Sequence, residues 1–153
     1  MTTRASLKNF YLFRGMAPDD LVAVEACAER MHCAAAELIF REGDEAEAMY
    51  VVELGTVEII KITAGITVLL TIGSGGGFGE IAFFDRGKRP ASARASEASH
   101  VIRIPFAALT RVLEQRPSLA AVFCHNACSF LAKRLRRILL DLSFARELNE
   151  RHF

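Results

Sequence analysis

Half of this chain's ten glycines lie within seven consecutive residues, from Gly73 to Gly79. They directly follow the apolar run Ile66 to Ile72. Glycine adopts positive φ at little cost and lets the backbone approach a ligand without an obstructing Cβ. Successive amides in such a segment can form a concave nest whose N–H groups point at an anion. The sequence therefore predicts a strand that leads into a tight, anion-binding loop.

Two charged residues beside this loop limit the kinds of ligand that it could bind. Arg89 carries a planar guanidinium that suits a phosphate bidentately. The carboxylate of Glu80 would repel a phosphate unless it accepts a hydrogen bond from a hydroxyl. A ligand with both a phosphate and a ribose hydroxyl would satisfy the loop, Arg89 and Glu80 together.

Short apolar segments punctuated by glycine surround the loop and indicate strands. They are Leu38–Phe40, Met49–Leu54, Val57–Lys61, Ile66–Ile72 and Ser92–Ile104. Thr63-Ala64-Gly65 is a plausible hairpin turn between two of them. Short strands with regularly placed glycines favour an antiparallel β-roll, or jelly roll.

Helices are predicted on the N-terminal side of these strands. Residues 1–15 form a short helical lead, and a second helix begins near Pro18, with acidic residues in its first turn. Apolar residues recur at helical spacing as far as Met31, so this helix is expected to end around His32 to Ala36.

The C-terminal third predicts a short helix, Phe106 to Gln115, and a long one. No Gly or Pro occurs from Leu119 to Asn149, so a helix of roughly 45 Å is expected, too long for a small roll to cover. Along it runs a heptad seam of residues 124, 128, 131, 135, 138, 142, 145 and 149, typical of paired helices. This heptad seam predicts a homodimer; the alternative is packing against the N-terminal helices. A second apolar strip (Leu119, Val122, Phe123, Phe130) is expected to lie on the roll.

The expected fold is α+β, an antiparallel β-roll flanked by N-terminal helices and a long C-terminal helix. With 153 residues, one domain is predicted. Within it we expect N-terminal helices over 1–37, the roll over 38–105 and C-terminal helices over 106–153.

Bulk properties exclude several classes of protein. The net charge of +1 argues against a protein devoted to nucleic acid. The N-terminus lacks the apolar core of a signal peptide, and glycines interrupt the uncharged run Ile62 to Gly79, so no membrane span is expected. The four cysteines show no zinc-binding spacing and are expected to be reduced thiols in a cytoplasmic protein. A cupin-like metal enzyme would need clustered histidines, whereas the four here are scattered.

Phe78-Gly79-Glu80-Ile81-Ala82 followed by Arg89-Pro90-Ala91 resembles the phosphate-binding cassette of the cyclic-nucleotide-binding domain family. Phe40, Gly43-Asp44, the Met49–Val52 segment and Gly55 resemble the first half of the same domain. The resemblance covers roughly Leu38 to Ile104. It implies a regulatory module that binds cAMP or cGMP, with no metal and no catalytic activity.

The resemblance also implies roles for single residues. Glu80 would accept from the ribose 2′-hydroxyl, and Arg89 would pair with the cyclic phosphate. Ile59 and Leu70 match positions that pack against the sugar or base, although core packing alone would explain both. The remaining cassette positions that would contact the ligand are Gly79, Ile81, Ala82, Pro90 and Ala91. In some relatives an arginine of the long helix caps the base, which would be Arg134 or Arg136 here.

Three positions depart from the family pattern or qualify it. Pro90 stands where the family usually has Ala or Ser, and proline removes an N–H that helps hold the phosphate. Gly76 stands where relatives often have Asp. These two keep open the alternative of a degenerate module that serves only dimerisation or protein interaction. Ser92 matches a position where cGMP-preferring members often have Thr, yet cAMP is slightly favoured.

The resemblance also suggests partners. Bacterial transcription factors of this superfamily dimerise through such a helix and continue into a DNA-binding domain. If the chain is complete at Phe153, it is not expected to bind DNA on its own, and its downstream protein partner is unknown. Cys124 and Cys128 lie on the heptad seam. Three interpretations are open for them: small buried apolar residues, an intersubunit disulfide, or a metal-binding pair together with His125.

Overall fold

The computed structural model describes residues 6–151. Two short 3₁₀ helices (Leu7–Asn9 and Tyr11–Phe13) precede α1 (Pro18–Ala26). Eight strands and a short helix follow: β1 (Glu29–Cys33), β2 (Leu38–Phe40), β3 (Ala48–Leu54), β4 (Val57–Thr63), β5 (Gly65–Ile72), β6 (Gly77–Phe78), α2 (Ile81–Asp85), β7 (Ser92–Ala95) and β8 (Ser99–Pro105). The chain continues into α3 (Phe106–Gln115) and α4 (Pro117–Arg151).

The strands form two antiparallel four-stranded sheets, in the orders β1-β8-β3-β6 and β2-β7-β4-β5. The two sheets enclose a core to which the first contributes Tyr50 and Val52 and the second Val57 and Ala93. The α+β class, the antiparallel roll and the long C-terminal helix are therefore confirmed. The hairpin between β4 and β5 also lies where the sequence predicts it.

A second core lies between the outer face of the first sheet and the helices. Met49 and Val51 point into this core, whereas Tyr50 and Val52 point into the core between the sheets. Successive strand residues point to opposite faces, so β3 is buried on both sides. This explains why its sequence is continuously apolar instead of alternating.

The predicted end of the second helix is wrong. α1 ends at Ala26, and residues 29–33 form β1, which pairs with β8 from Glu29↔Arg103 to Cys33↔Ser99. The helical spacing of apolar residues up to Met31 continues by coincidence into a strand, where Met31 and Cys33 pack toward the core between the sheets. Segment 1–37 is therefore not purely helical, and residues 1–5 of the expected helical lead lie outside the described part.

Much of the glycine cluster is structural and does not form the predicted nest. The N–H of Gly75 donates to Val52 O (2.8 Å) and that of Gly76 to Gly73 O (3.0 Å), so these amides are already used. A Cβ on Gly77 would lie 2.3 Å from the ring of Phe10, and one on Gly76 would lie 2.6 Å from Ile72. These glycines let the chain pass closely packed side chains. Gly79, at the end of the cluster, lies beside Arg89.

Helix α4 has 35 residues and spans about 52 Å. Its first turns enter the core between the helices and the first sheet through Leu119 and Phe123, and Phe123 contacts the rings of Phe13 and Phe83. Farther along, the seam residues Leu131, Leu135 and Ile138 are at least 50% exposed. The alternative of a seam packed against the N-terminal helices is therefore not what these residues show.

Candidate functional site

A cavity of about 320 Å³ lies between the β4–β5 hairpin and the segment 78–91, and we call it the cassette cavity. All nine residues predicted from the sequence line it: Ile59, Leu70, Gly79, Glu80, Ile81, Ala82, Arg89, Pro90 and Ala91. Ile59 and Leu70 are direct cross-strand partners in the β4–β5 pair. The other lining residues are Phe40, Leu69, Ile72, Gly77, Phe78 and Arg134. Pockets for small ligands usually measure about 300–1,000 Å³, so a nucleotide-sized ligand is within range.

Arg89 supplies a buried positive charge to this cavity. It is only 3% exposed, and its Cζ lies 4.0 Å from the centroid of the Phe40 ring. Its Nη1 donates to Gly79 O (2.9 Å) and its Nη2 to Ala48 O (2.5 Å), both neutral acceptors. Its Nε has no hydrogen-bond partner among residues 6–151. Burial lowers the pKa of the guanidinium from its ordinary value, because the charged form lacks solvation.

The backbone of Arg89 is anchored by the β2–β3 loop. The N–H of Gly43 donates to Arg89 O (2.8 Å), and the N–H of Arg89 donates to Asp44 O (3.0 Å). Gly43 has a φ of +86°, which other residues rarely adopt. The Gly43-Asp44 pair, distant in sequence, thus determines where Arg89 enters the cavity wall.

Glu80 supplies a buried negative charge to the same cavity. It is 8% exposed, and its Oε1 accepts a hydrogen bond of 3.3 Å from the hydroxyl of Tyr11. Burial raises the pKa of the Glu80 carboxyl, and hydrogen bonds together with the charges of Arg134 and Arg89 offset part of that rise. Gly79 precedes it at a φ of +78°, and a Cβ there would lie 2.8 Å from Arg89 Nη1. Glycine is therefore required between the two charged groups.

These groups define what the cavity can hold. Arg89 offers donors to an anion, Glu80 offers an acceptor to a hydroxyl, and the β4–β5 hairpin offers an apolar wall. Pro90 contributes no N–H to the anion. An amphiphilic ligand with an anionic end and a hydroxyl near it fits this arrangement.

Ser92 does not take the position that its sequence match suggests. It is buried, and its hydroxyl accepts a hydrogen bond of 2.9 Å from the N–H of Glu42. It is not among the residues that line the cassette cavity. The hydroxyl of Ser92 contacts the β2–β3 loop, and the family cue for cGMP stays a prediction.

The structure adds one residue beside Glu80 and separates two that the sequence suggested. Of the two arginines suggested on α4, Arg134 lines the cassette cavity and Arg136 does not. Tyr11, which contacts Glu80 across 69 positions of sequence, was not predicted as a site residue. No local spacing signals such a contact, since it depends on how the 3₁₀ segment packs against α4.

A second cavity of about 310 Å³ adjoins the first, and we call it the helix cavity. It lies between α2 and α4, and both cavities share Glu80, Ile81 and Arg134. Its other lining residues are Tyr11, Phe84, Asp85, Ala127, Phe130 and Leu131. Glu80 and Arg134 thus lie at the boundary between the cassette cavity and the inner side of α4.

Other site types have a simpler outcome. Within residues 6–151, no group of three His, Cys, Asp or Glu side chains is placed to hold a metal ion. All four cysteines lie in that range and each thiol is free, with Cys124 and Cys128 exposed on the seam. An intersubunit disulfide stays a prediction. None of the helices described combines the length and the apolar character that crossing a membrane requires.

Comparison with known proteins identifies the family of this chain. Residues 30–116 match the family model of the cyclic nucleotide-binding domain. The cyclic AMP receptor protein of Thermus thermophilus is 30% identical over 138 residues, which cover 89% of this chain and 62% of the relative. This chain therefore spans about three fifths of that relative's length.

Solved structures agree. The crystal structure of the Thermus thermophilus catabolite activator protein superposes with a TM-score of 0.75 at 29% identity, covering 88% of this chain and 62% of that one. The N-terminal domain of a transcriptional regulator from Streptomyces coelicolor superposes with a TM-score of 0.78, covering 86% and 94% of the two chains. Its 24% identity supports the fold alone. With more than half of its length matching the family model, this chain belongs to the cyclic nucleotide-binding domain family.

Proposed function

We propose that this chain is a regulatory module that binds a cyclic mononucleotide and performs no chemistry of its own. The observation that carries the proposal is the environment of Arg89. A buried guanidinium with only neutral acceptors, and with Nε unpartnered among the described residues, lines the same cavity as the carboxylate of Glu80. A cyclic phosphate would supply the missing acceptor at Arg89, and a ribose 2′-hydroxyl would donate to Glu80.

The remaining predicted residues have matching roles in this proposal. Gly79, Ile81, Ala82, Pro90 and Ala91 surround the phosphate and ribose as parts of the cassette. Ile59 and Leu70 form the apolar side that would contact the sugar or base. We propose that cAMP binds slightly better than cGMP, because the hydroxyl of Ser92 is engaged by Glu42 and does not line the cavity.

The test is calorimetric titration of the protein with cAMP, cGMP and a cyclic dinucleotide. We expect heat from both mononucleotides and none from the dinucleotide, which exceeds a cavity of about 320 Å³. Absence of heat with millimolar cAMP and cGMP would overturn the proposal.

A second candidate function is a degenerate module that acts only in dimerisation or protein interaction. Pro90 favours it, since one phosphate donor is missing, and so do the two carbonyl oxygens that already hold Arg89. Gly76 carries less weight, because it lies in a packed turn with no space for a side chain. The same titration separates the two functions.

Replacing Pro90 with alanine is expected to tighten cyclic-nucleotide binding by roughly 5- to 150-fold. The substitution restores a backbone N–H toward the phosphate, worth about 1–3 kcal/mol if the donor is otherwise lacking. Calorimetry of Pro90→Ala against wild type measures the change, with Pro117→Ala at the start of α4 as the matched control. An unchanged or weaker affinity would mean that Pro90 helps binding by holding Arg89 extended.

Lowering the pH is expected to weaken cyclic-nucleotide binding, and the effect should begin at a higher pH than that at which an ordinary Glu side chain titrates. Burial raises the pKa of Glu80. Its carboxylate therefore takes up a proton at a higher pH than a solvated Glu, whose pKa is about 4.3. Because the pKa of Glu80 is higher in the folded than in the unfolded state, its protonation favours the folded state. This contribution to stability is present at low pH and is lost as the pH rises. Protonation removes the charged acceptor for the hydroxyl, however, so affinity falls as pH decreases.

Titrations at several pH values between 7 and 5 measure this effect. Glu80→Gln should bind more weakly at neutral pH and show a flatter pH profile. Equal slopes for the two proteins would assign the pH dependence to another group.

We also propose that the protein is a homodimer through α4, and that ligand occupancy reaches a protein partner by movement of this helix. The support is the exposed heptad seam, with Leu135 58% and Leu142 62% exposed. The molecule that receives the signal is a proposed protein partner of unknown identity.

A further inference from the structure

The carboxylate at the centre of the cassette cavity is held by a residue of the N-terminal segment. Tyr11 donates its hydroxyl to Glu80 Oε1 at 3.3 Å. Burial raises the pKa of that hydroxyl, and the negative charge of Glu80 raises it further. Tyr11 therefore remains a hydrogen-bond donor throughout the physiological pH range.

The same tyrosine is attached to α4. Its ring stacks on that of Phe130, with centroids 4.1 Å apart and an interplanar angle of 17°. The side chain of Asn126 donates to Leu12 O (3.0 Å), within the second 3₁₀ helix, and to Arg14 O (2.9 Å), directly after it. The segment that carries Tyr11 and the first half of α4 thus form one connected unit.

Glu80 has capacity for both Tyr11 and a ligand. An ionised carboxylate offers about four acceptor sites on two oxygens, and Tyr11 occupies one of them. A ligand hydroxyl can therefore bind Glu80 without displacing Tyr11. The tyrosine restricts the rotation of the carboxylate and so reduces the entropy that a ligand must remove.

We propose that Tyr11 is a positioning residue: it holds Glu80 ready for the ligand's 2′-hydroxyl and connects that carboxylate to α4 through the Tyr11–Phe130 stack. The inference rests on the proposed function, and it deepens it by naming the route from the cavity to the helix. Arg134, which stands over Phe130 at 5.7 Å and lines both cavities, lies on the same route.

The test compares Tyr11→Phe with wild type for two ligands, cAMP and 2′-deoxy-cAMP. Phenylalanine keeps the stack on Phe130 and removes only the hydroxyl. We expect cAMP to bind about fivefold more weakly to the variant, the effect of one lost hydrogen bond. The affinity for 2′-deoxy-cAMP should stay within about twofold, because that ligand has no hydroxyl to give Glu80. Thr110→Val, which removes an exposed hydroxyl that lines neither cavity, should alter neither affinity.

A second measurement follows α4 by amide hydrogen exchange with saturating cAMP. In wild type, cAMP is expected to change exchange in the turns around Phe130, and in Tyr11→Phe this change should shrink. Phe130→Leu keeps the hydroxyl and removes the stack, so it should retain the cAMP to 2′-deoxy-cAMP affinity ratio and still lose the response of α4.

The outcomes separate cleanly. If wild type binds cAMP and Tyr11→Phe weakens both ligands equally, Tyr11 is merely structural and the inference is overturned. If Tyr11→Phe retains the full response of α4, the connection to the helix is overturned. If wild type binds neither nucleotide, the proposed function fails and the inference with it.

Discussion

Arg89→Ala is expected to reduce cyclic-nucleotide affinity by roughly 10- to 150-fold. A charge-assisted hydrogen bond to a phosphate contributes about 1.5–3 kcal/mol, and Arg89 supplies the buried guanidinium in the cavity wall. Its removal also leaves the carbonyl oxygens of Gly79 and Ala48 without this donor. We therefore expect a lower melting temperature as well, and circular dichroism should precede the calorimetric titration.

Lys88→Ala is the matched control for charge. Lys88 precedes Arg89, its side chain is 68% exposed, and its ion pair with Glu45 is long at 3.6 Å. Losing it should leave affinity within about twofold, as for an exposed pair. Arg89→Lys retains the charge but not the planar fork, so intermediate affinity is expected. If Arg89→Ala folds and binds as tightly as wild type, the phosphate does not bind where we propose.

Leu135→Asp is expected to convert the proposed dimer into monomers. Leu135 lies at the middle of the heptad seam and is 58% exposed in the single chain. Each buried leucine contributes about 1.5–3 kcal/mol, so losing one from each subunit weakens association by at least about 150-fold. Buried aspartates facing each other add a desolvation cost. Analytical ultracentrifugation across a range of protein concentrations measures the change.

Leu140→Asp is the matched control on the same helix. Leu140 is 65% exposed and lies about 140° around the helix from Leu135, at 100° per residue. The identical substitution there should leave the dimer intact. If both variants dissociate, the interface is wider than the heptad seam, and if neither does, α4 is not the interface.

The parts of the site that could be predicted are those determined by local sequence. Gly79, Glu80 and Arg89 lie in one short segment, and their spacing alone places them together. Ile59 and Leu70 were expected from the family resemblance, and they pair across the β4–β5 hairpin because the register shifts between Ile59 and Ile60. Local sequence was therefore sufficient for the two charges of the cavity, whereas its apolar wall was expected from the family resemblance.

The parts that failed depend on long-range packing. β1 was missed because its pairing with β8, from Glu29↔Arg103 to Cys33↔Ser99, joins segments some seventy residues apart. The hydrogen bond from the N–H of Glu42 to the hydroxyl of Ser92 joins residues fifty positions apart and was not expected. The contact of Tyr11 with Glu80 depends on the packing of the second 3₁₀ helix against α4, and hydrophobic periodicity in the sequence does not predict such packing.

The two carbonyl oxygens that hold Arg89 have a consequence for the proposed binding of a nucleotide. A guanidinium carries five N–H donors, and Gly79 O and Ala48 O accept from Nη1 and Nη2. Nε has no partner among residues 6–151, so a phosphate could engage it without displacing either carbonyl. The guanidinium would keep one orientation in the empty and in the occupied cavity, so little binding free energy would be lost in ordering it.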